Sequence, residues 1–165
     1  MRKTNKTLET IMQSLKTIIS KLEKTNINWC LVGSLSLYLQ DVKIKPNDID
    51  ILTDKEGAYK FSNIFKEFER QKVKFRKSDI FYSHYGKFLI NGIEVEVMGD
   101  LSIFIDGKWV GDIRNRLNSK KVIKYNELEI PVSPLKEQLD SYEKMNRTKD
   151  SKKISMINKV LNKIN

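Results

Sequence analysis

Residues able to do chemistry cluster in two short stretches of this chain. In the first, the apolar run Trp29-Cys30-Leu31-Val32 leads into Gly33-Ser34, and an Asp-x-Asp pair, Asp48 and Asp50, begins fourteen residues past that serine. In the second, Glu94 and Glu96 alternate with Ile93, Val95 and Val97. A glycine at a helix start lets the backbone approach an anion, and the first helical amides lack internal partners and carry the positive end of the dipole. Gly33-Ser34 is therefore a candidate phosphate cradle, with the Ser34 hydroxyl as an added donor. Two carboxylates on one strand face repel unless a cation lies between them, and oxygen-only ligands favour magnesium or manganese over softer metals. Asp48 and Asp50 are candidate ligands of such an ion. Taken singly, each piece has a plainer reading: a helix-capping turn, a solvated strand end, the wet face of an antiparallel hairpin. Their order, spacing and placement at element boundaries together favour a site.

The elements that must position these groups follow from hydrophobic periodicity. Trp29–Val32 reads as a short buried strand and Gly33-Ser34 as a turn opening a helix through Leu35, Leu37, Tyr38 and Leu39. Ile49 to Leu52 is a second strand, which puts Asp48 and Asp50 on one face and Ile49 and Ile51 on the other. Ahead of them, Leu8, Ile11, Met12, Leu15, Ile18, Ile19 and Leu22 mark an amphipathic helix; behind them, Phe61, Ile64, Phe65 and Phe68 mark another. Strands are then expected at 80–90 and 93–98 across Asn91-Gly92, at 101–105 and 108–110 across Asp106-Gly107, and at 121–124 and 128–132. Two helices, about 135–145 and 149–164, close the chain. This order predicts an α+β fold: a mixed sheet with helices largely on one side and a short C-terminal helical pair.

Assembled in this way, the residues resemble the nucleotidyltransferase superfamily, whose signature is a hydrophobic residue, Gly-Gly or Gly-Ser, a spacer, an alternating pair of carboxylates and a third carboxylate on a later strand. The match here is Val32-Gly33-Ser34, a thirteen-residue spacer at the long end of the range, then Asp48-Ile49-Asp50-Ile51. Glu94 and Glu96 both have the flanks of the third carboxylate. The segment Gly92-Ile93-Glu94-Val95-Glu96-Val97-Met98-Gly99-Asp100 is similar to a group of small stand-alone members, related to minimal, antibiotic-modifying and toxin-type enzymes, and that likeness implies Glu96. Asn28-Trp29, Asp54-x-x-Gly57-Ala58-Tyr59, Ser83-His84-x-Gly86 and Ile130-Pro131-Val132 extend the resemblance over roughly residues 8 to 155. Tyr142-x-Lys144-Met145-Asn146-Arg147-x-Lys149-Asp150 is similar to an Arg-x-Lys-Asp element of many members, with Asn146 where relatives often have glycine.

The resemblance implies the nucleotidyltransferase fold and transfer of a nucleoside monophosphate from a nucleoside triphosphate, ATP by family precedent, to a hydroxyl of a small molecule, protein or RNA. It implies two magnesium or manganese ions on Asp48, Asp50 and Glu96, phosphates held at Gly33 and Ser34, and Lys144, Arg147 and Lys149 in reach of phosphate or acceptor. His84, the one histidine, is a candidate substrate contact or an ordinary strand-surface side chain. Two other classes compete with the enzyme. One is a catalytically weak nucleotide-binding partner, for example in a toxin–antitoxin type complex; the other is a basic RNA- or DNA-binding module.

Composition sets the remaining bounds. A chain of 165 residues suits a single domain, with a core about 8–132 and C-terminal helices about 134–164. No apolar stretch approaches the roughly 18 residues of a membrane span and no secretion signal follows Met1, so a cytoplasmic protein is expected. The single cysteine, Cys30, lies in the first strand and is expected to pack as a small hydrophobe. With 31 basic and 21 acidic residues the net charge is +10, which draws in polyanions such as nucleotides or nucleic acid. Much of that charge lies on helix faces expected to be solvated, and a lysine- and asparagine-rich composition also follows from coding bias.

Overall fold

The computed structural model describes residues 7–164. Helix α1 (Leu8–Leu22) starts at Thr7, whose hydroxyl accepts from the Thr10 amide while the Thr10 hydroxyl accepts from the Thr7 amide. This reciprocal cap satisfies two amides that a helix start leaves unpaired. Strand β1 (Trp29–Val32) passes directly into α2 (Gly33–Leu39), and β2 (Ile49–Thr53) leads to α3 (Lys55–Ile64). Strands β3 (Glu69–Lys77), β4 (Phe81–Ile90), β5 (Ile93–Ile105) and β6 (Lys108–Val110) follow, then α4 (Ile113–Asn118), β7 (Lys121–Tyr125), β8 (Leu128–Val132), α5 (Leu135–Met145) and α6 (Ser151–Ile164).

The eight strands form one mixed sheet in the order β3-β4-β5-β2-β1-β8-β7, with β6 paired to β5 off that path. At its centre β2 runs antiparallel to β1 and parallel to β5. Alternation along these strands divides the interior. Leu31, Ile49, Ile51, Val95 and Val97 enter the main core, where Ile11, Leu15 and Ile18 of α1 and Phe61 of α3 cover them. Cys30 and Leu52 point to the other face, where Leu117 and Ile113 of α4 pack on them. A third cluster joins Leu37 of α2 to Val42, Leu135, Tyr142 and Ile157, which docks the α5–α6 pair beside the sheet. No helix among the described residues is long and apolar enough to cross a membrane.

The α+β fold, mixed sheet and closing helical pair match the reading of the sequence. Three elements differ. Strand β3 was not expected because Glu69–Lys77 buries only Val73; it is an edge strand whose charged side chains are solvated. Helix α4 is a six-residue turn started by Asp112, too short to show a periodicity. The two strands expected at 93–98 and 101–105 are one strand, β5, interrupted by a bulge at Asp100, which adopts φ 51°. The aromatic stripe behind β2 also breaks: α3 stops at Ile64 and Lys66–Phe68 form a single 3-10 turn, with Phe65 still buried. At the end of α5, Asn146 takes the left-handed conformation, φ 49°, that glycine would otherwise supply, so the helix break survives the departure from the family pattern.

The bulge fixes α3. Asp100 Oδ1 accepts the Lys55 amide at 3.1 Å, and Asp54 Oδ1 accepts the Gly57 amide at 2.6 Å, so two carboxylates cap one helix start. Gly99 lets the helix lie directly on the strand, since a Cβ there would come within 2.8 Å of both Ala58 Cβ and Asp54 O. Gly99→Ala is expected to lower stability by about 1–3 kcal/mol through overpacking. Urea denaturation checks this as a lower midpoint with an unchanged slope.

Candidate active site

Register brings the carboxylates together. Val32 of β1 pairs with Asp50 of β2, and Asp50 pairs with Glu96 of β5, so three strands set one row of side chains across the sheet. Ile49 and Ile51, fully buried on the core side, hold Asp50 on the opposite face. Asp48, immediately before β2, lines the same cleft of about 710 Å³ together with Gly33, Ser34, Asp50, Glu96 and Arg147. Lys144 does not line it; its ammonium pairs with Asp140 one turn back on α5, at 2.8 Å. Lys149 and Lys153, from the segment beyond α5, do line it.

Gly33 is required twice over. It adopts φ +77°, and a Cβ at that position would strike Asp50 Oδ2 and lie 3.1 Å from Asp50 Cγ. The turn is braced from below by Gln138 of α5, almost fully buried, whose Oε1 accepts the Gly33 amide at 3.0 Å. Gln138 Nε2 in turn donates to Ser36 Oγ and to the Ser133 carbonyl, each at 2.9 Å. The Ser34 hydroxyl accepts the Asn47 amide at 3.4 Å, tying α2 to the residue before Asp48. Sequence reasoning did not single out Gln138. The available signal was a lone polar residue within the Leu135, Leu139, Tyr142 stripe of α5.

Burial, and after it repulsion from Asp48 and Glu96, holds the Asp50 carboxyl well above the usual carboxylate range; Lys153 opposes this weakly. The pairing of Asp50 with Glu96 across β2 and β5 keeps the two carboxyls close enough for each to disfavour the other's charge. Tyr85 of β4 donates its hydroxyl to Glu96 Oε1 at 2.8 Å, and Lys87 stands 3.5 Å from the same oxygen. Burial first, then that hydrogen bond, pushes the Tyr85 phenol up, so it stays protonated and serves as a donor. Tyr85 also escaped the sequence reading, because strand alternation marks it only as one aromatic among several. Glu94 lies two residues earlier on β5, 42 % exposed against 25 % for Glu96, and pairs with Lys87 at 3.2 Å. Glu96 rather than Glu94 therefore faces Asp50.

Among the described residues, no three His, Cys, Asp or Glu side chains stand as a ready-made metal centre. The donor set nevertheless suits a hard divalent cation. It consists of carboxylate oxygens alone, and a cation among them would offset the repulsion that raises the Asp50 pKa.

Two other candidates lie elsewhere. His84 lines a separate cleft of about 980 Å³ with Lys55, Tyr59 and Asp100, its Nδ1 3.0 Å from the Tyr59 hydroxyl. Partial burial, then Lys55, lowers its pKa. Cys30 is fully buried, and burial pushes its thiol up to about 11, which leaves it a packing residue.

Comparison with known proteins assigns the chain. No protein of curated function matches it. The crystal structure of a candidate nucleotidyltransferase from Thermotoga maritima superposes with a TM-score of 0.80 at 33 % identity, covering 99 % of each chain. Lower identities accompany a shared fold in two antibiotic-modifying enzymes. The lincomycin-bound lincosamide adenylyltransferase LnuA has 17 % identity and a TM-score of 0.60, covering 90 % of this chain and 96 % of its own. ANT(2'')-Ia in complex with adenylyl-2''-tobramycin has 11 % identity and a TM-score of 0.56, covering 94 % of this chain and 90 % of its own. A family model described as aminoglycoside-2''-adenylyltransferase matches residues 14–157, so the chain belongs to that family of the nucleotidyltransferase superfamily and is a nucleotidyltransferase.

Proposed function

We propose that the protein transfers a nucleoside monophosphate from a nucleoside triphosphate to a hydroxyl acceptor in a reaction that depends on a divalent metal, and that residues 1–165 act as one catalytic domain. The observation that carries this reading is the row of Asp50 and Glu96 on adjacent strands, with Asp48 and the Gly33-Ser34 turn in the same cleft. The adenylyltransferase character of the family supports ATP as the donor.

Asp48, Asp50 and Glu96 would hold magnesium or manganese. Two such ions, when bound, activate the attacking hydroxyl and neutralise charge on the triphosphate. The chain's own residues have distinct parts to play. Gly33 and Ser34 keep the helix start open to the β- and γ-phosphates, a position that Gln138 fixes by holding the Gly33 amide. Glu96 accepts the proton of the acceptor hydroxyl, with Oε1 steadied by Tyr85. Arg147, braced through Nε at 2.7 Å by the fully buried Asp150 and with its guanidinium 5.3 Å above the Phe81 ring centroid, presents its Nη donors to phosphate in a fixed orientation.

Calorimetric titration of the four ribonucleoside triphosphates, with and without magnesium, tests the site. Binding to wild-type protein that requires the metal and disappears in Asp48→Asn/Asp50→Asn is expected; binding indifferent to metal and mutation overturns the assignment. Asp50→Asn alone is expected to cut transfer by about 10²–10⁴-fold, measured as pyrophosphate release.

The same substitution is expected to raise the melting temperature at neutral pH. The folded chain binds the Asp50 proton more tightly than the unfolded chain, so wild-type stability falls as pH rises from the ordinary value of 3.8 through the raised folded value. Asparagine removes that loss, by about 2–4 °C for each kcal/mol relieved, and the advantage fades as pH approaches 4. Thermal melts of the two proteins between pH 4 and 7.5 check this. Tyr85→Phe, which keeps the ring and deletes the donor to Glu96, is expected to cost about 10–100-fold in activity with little change in melting.

A further inference from the structure

Resting on the proposed transfer reaction, we infer that the acceptor is itself anionic, a hydroxyl compound carrying phosphate, and that this enzyme is not built for a polycationic amino sugar. The cleft holding Asp48, Asp50 and Glu96 is lined by seven basic side chains and by no other acid among the described residues. Six of the seven are Lys45, Arg76, Arg116, Arg147, Lys149 and Lys153; Lys77, the seventh, has its ammonium 5.0 Å above the Trp109 ring centroid.

Solvated helix faces do not account for this excess. The six come from the loop before β2, the end of β3, the short α4, the α5–α6 junction and α6, segments far apart in sequence that the fold turns toward one space. Two of the guanidinium groups are held in place. Arg76 donates from Nε to the Tyr85 carbonyl at 3.4 Å and from Nη2 to the Lys72 carbonyl at 3.2 Å, while Arg147 is fixed by Asp150. Backbone carbonyls anchor Arg76 without cancelling its charge. The second cleft gives an internal contrast: Lys55, Lys60 and Arg114 there are matched by Asp54, Glu56 and Asp100. The positive excess thus belongs to the carboxylate cleft and is not a uniform coating.

Charge balance then selects the acceptor. A nucleoside triphosphate with two divalent cations is close to electroneutral, so its binding leaves most of the basic excess in place. An acceptor bearing several ammonium groups would enter that field with no carboxylate to meet it, since the three acids are committed to the reacting centre. A phosphate-bearing acceptor would be drawn in and oriented by Lys45, Arg116 and Lys149. In the reaction, the acceptor oxygen forms a bond to the α-phosphorus and the bond from that phosphorus to the β-bridging oxygen breaks. Pyrophosphate leaves with the electron pair, and the hydroxyl proton passes to Glu96 and then to water.

Transfer of label from α-³²P-ATP with magnesium distinguishes the sources of such an acceptor. The arms are tobramycin as the polycation, an uncharged hexose, a panel of hexose and pentose phosphates, and a short RNA with a free 3′-hydroxyl beside the same RNA blocked by a 3′-phosphate. Label on a sugar phosphate or on the open RNA is expected, with kcat/KM at least tenfold above tobramycin. For that acceptor, KM should rise at least tenfold in Lys45→Glu/Arg116→Glu and rise with salt in the wild type, while the variant's melting temperature stays near the wild-type value. Label on tobramycin at an equal or greater rate overturns the inference and leaves nucleotidyl transfer standing. Metal-dependent ATP binding with no label on any phosphate-bearing acceptor also overturns it. Absence of metal-dependent ATP binding removes the transfer reading, and the inference falls with it.

Discussion

Asp50 and Glu96 stand side by side because β2 and β5 run parallel in register at the centre of the sheet, and their apolar neighbours leave neither strand free to slip. A one-residue shift of β2 would turn Ile49 and Ile51 out of the core and carry Asp50 into it. The hydrophobic alternation that stabilises the sheet is therefore what forces two acidic groups together on its other face. The repulsion does not vanish; with burial, it is expressed as an Asp50 carboxyl held well above its ordinary pKa. A row of carboxylates kept together against their own repulsion costs some stability in the free protein, and such costs concentrate where a fold places chemical groups for a purpose other than packing.

The surrounding structure serves that row. Gly33 can have no side chain because Asp50 occupies the space, and the turn it makes hangs from Gln138 on a helix more than one hundred residues away in sequence. Tyr85 and Lys87, from the neighbouring antiparallel strand, fix Glu96 from the side. Several family-like motifs outside the site prove to be packing devices. Gly57 and Gly99 admit α3 against the strands, Gly86 admits β3 against β4, and Asp100 caps α3 across the bulge. Their recurrence in the resemblance reflects how closely the backbone must approach itself.

Much of the fold was legible because its signals are local. The heptad-like stripe of α1, the alternation of β2, β4 and β5 and the Asn91-Gly92 turn, with both residues at positive φ, each follow from neighbours in sequence. What escaped was decided by distant partners. Strand β3 has almost no apolar pattern and exists because β4 offers an edge to pair with; α4 is too short for periodicity and exists because Cys30 and Leu52 need cover. The bulge at Asp100 looked like the end of a strand because Gly99-Asp100 interrupts the alternation, yet pairing to β4 continues on both sides of it.

The sequence by itself determined the order and spacing of Gly33-Ser34, Asp48, Asp50 and the two glutamates, and the face of each strand on which they fall, since a period of two leaves no choice once the core side is set. It did not choose between Glu94 and Glu96, which share a face and have equivalent flanks. The family resemblance implied Glu96, and the pairing of β2 with β5 sets Glu96 opposite Asp50. Tertiary structure likewise separated Arg147 and Lys149, in the cleft, from Lys144, which pairs with Asp140, and gathered basic residues from five segments around one space. Net charge is a sum over composition and carries no position; where the charge acts is fixed by which parts of the chain the fold brings to the same cleft.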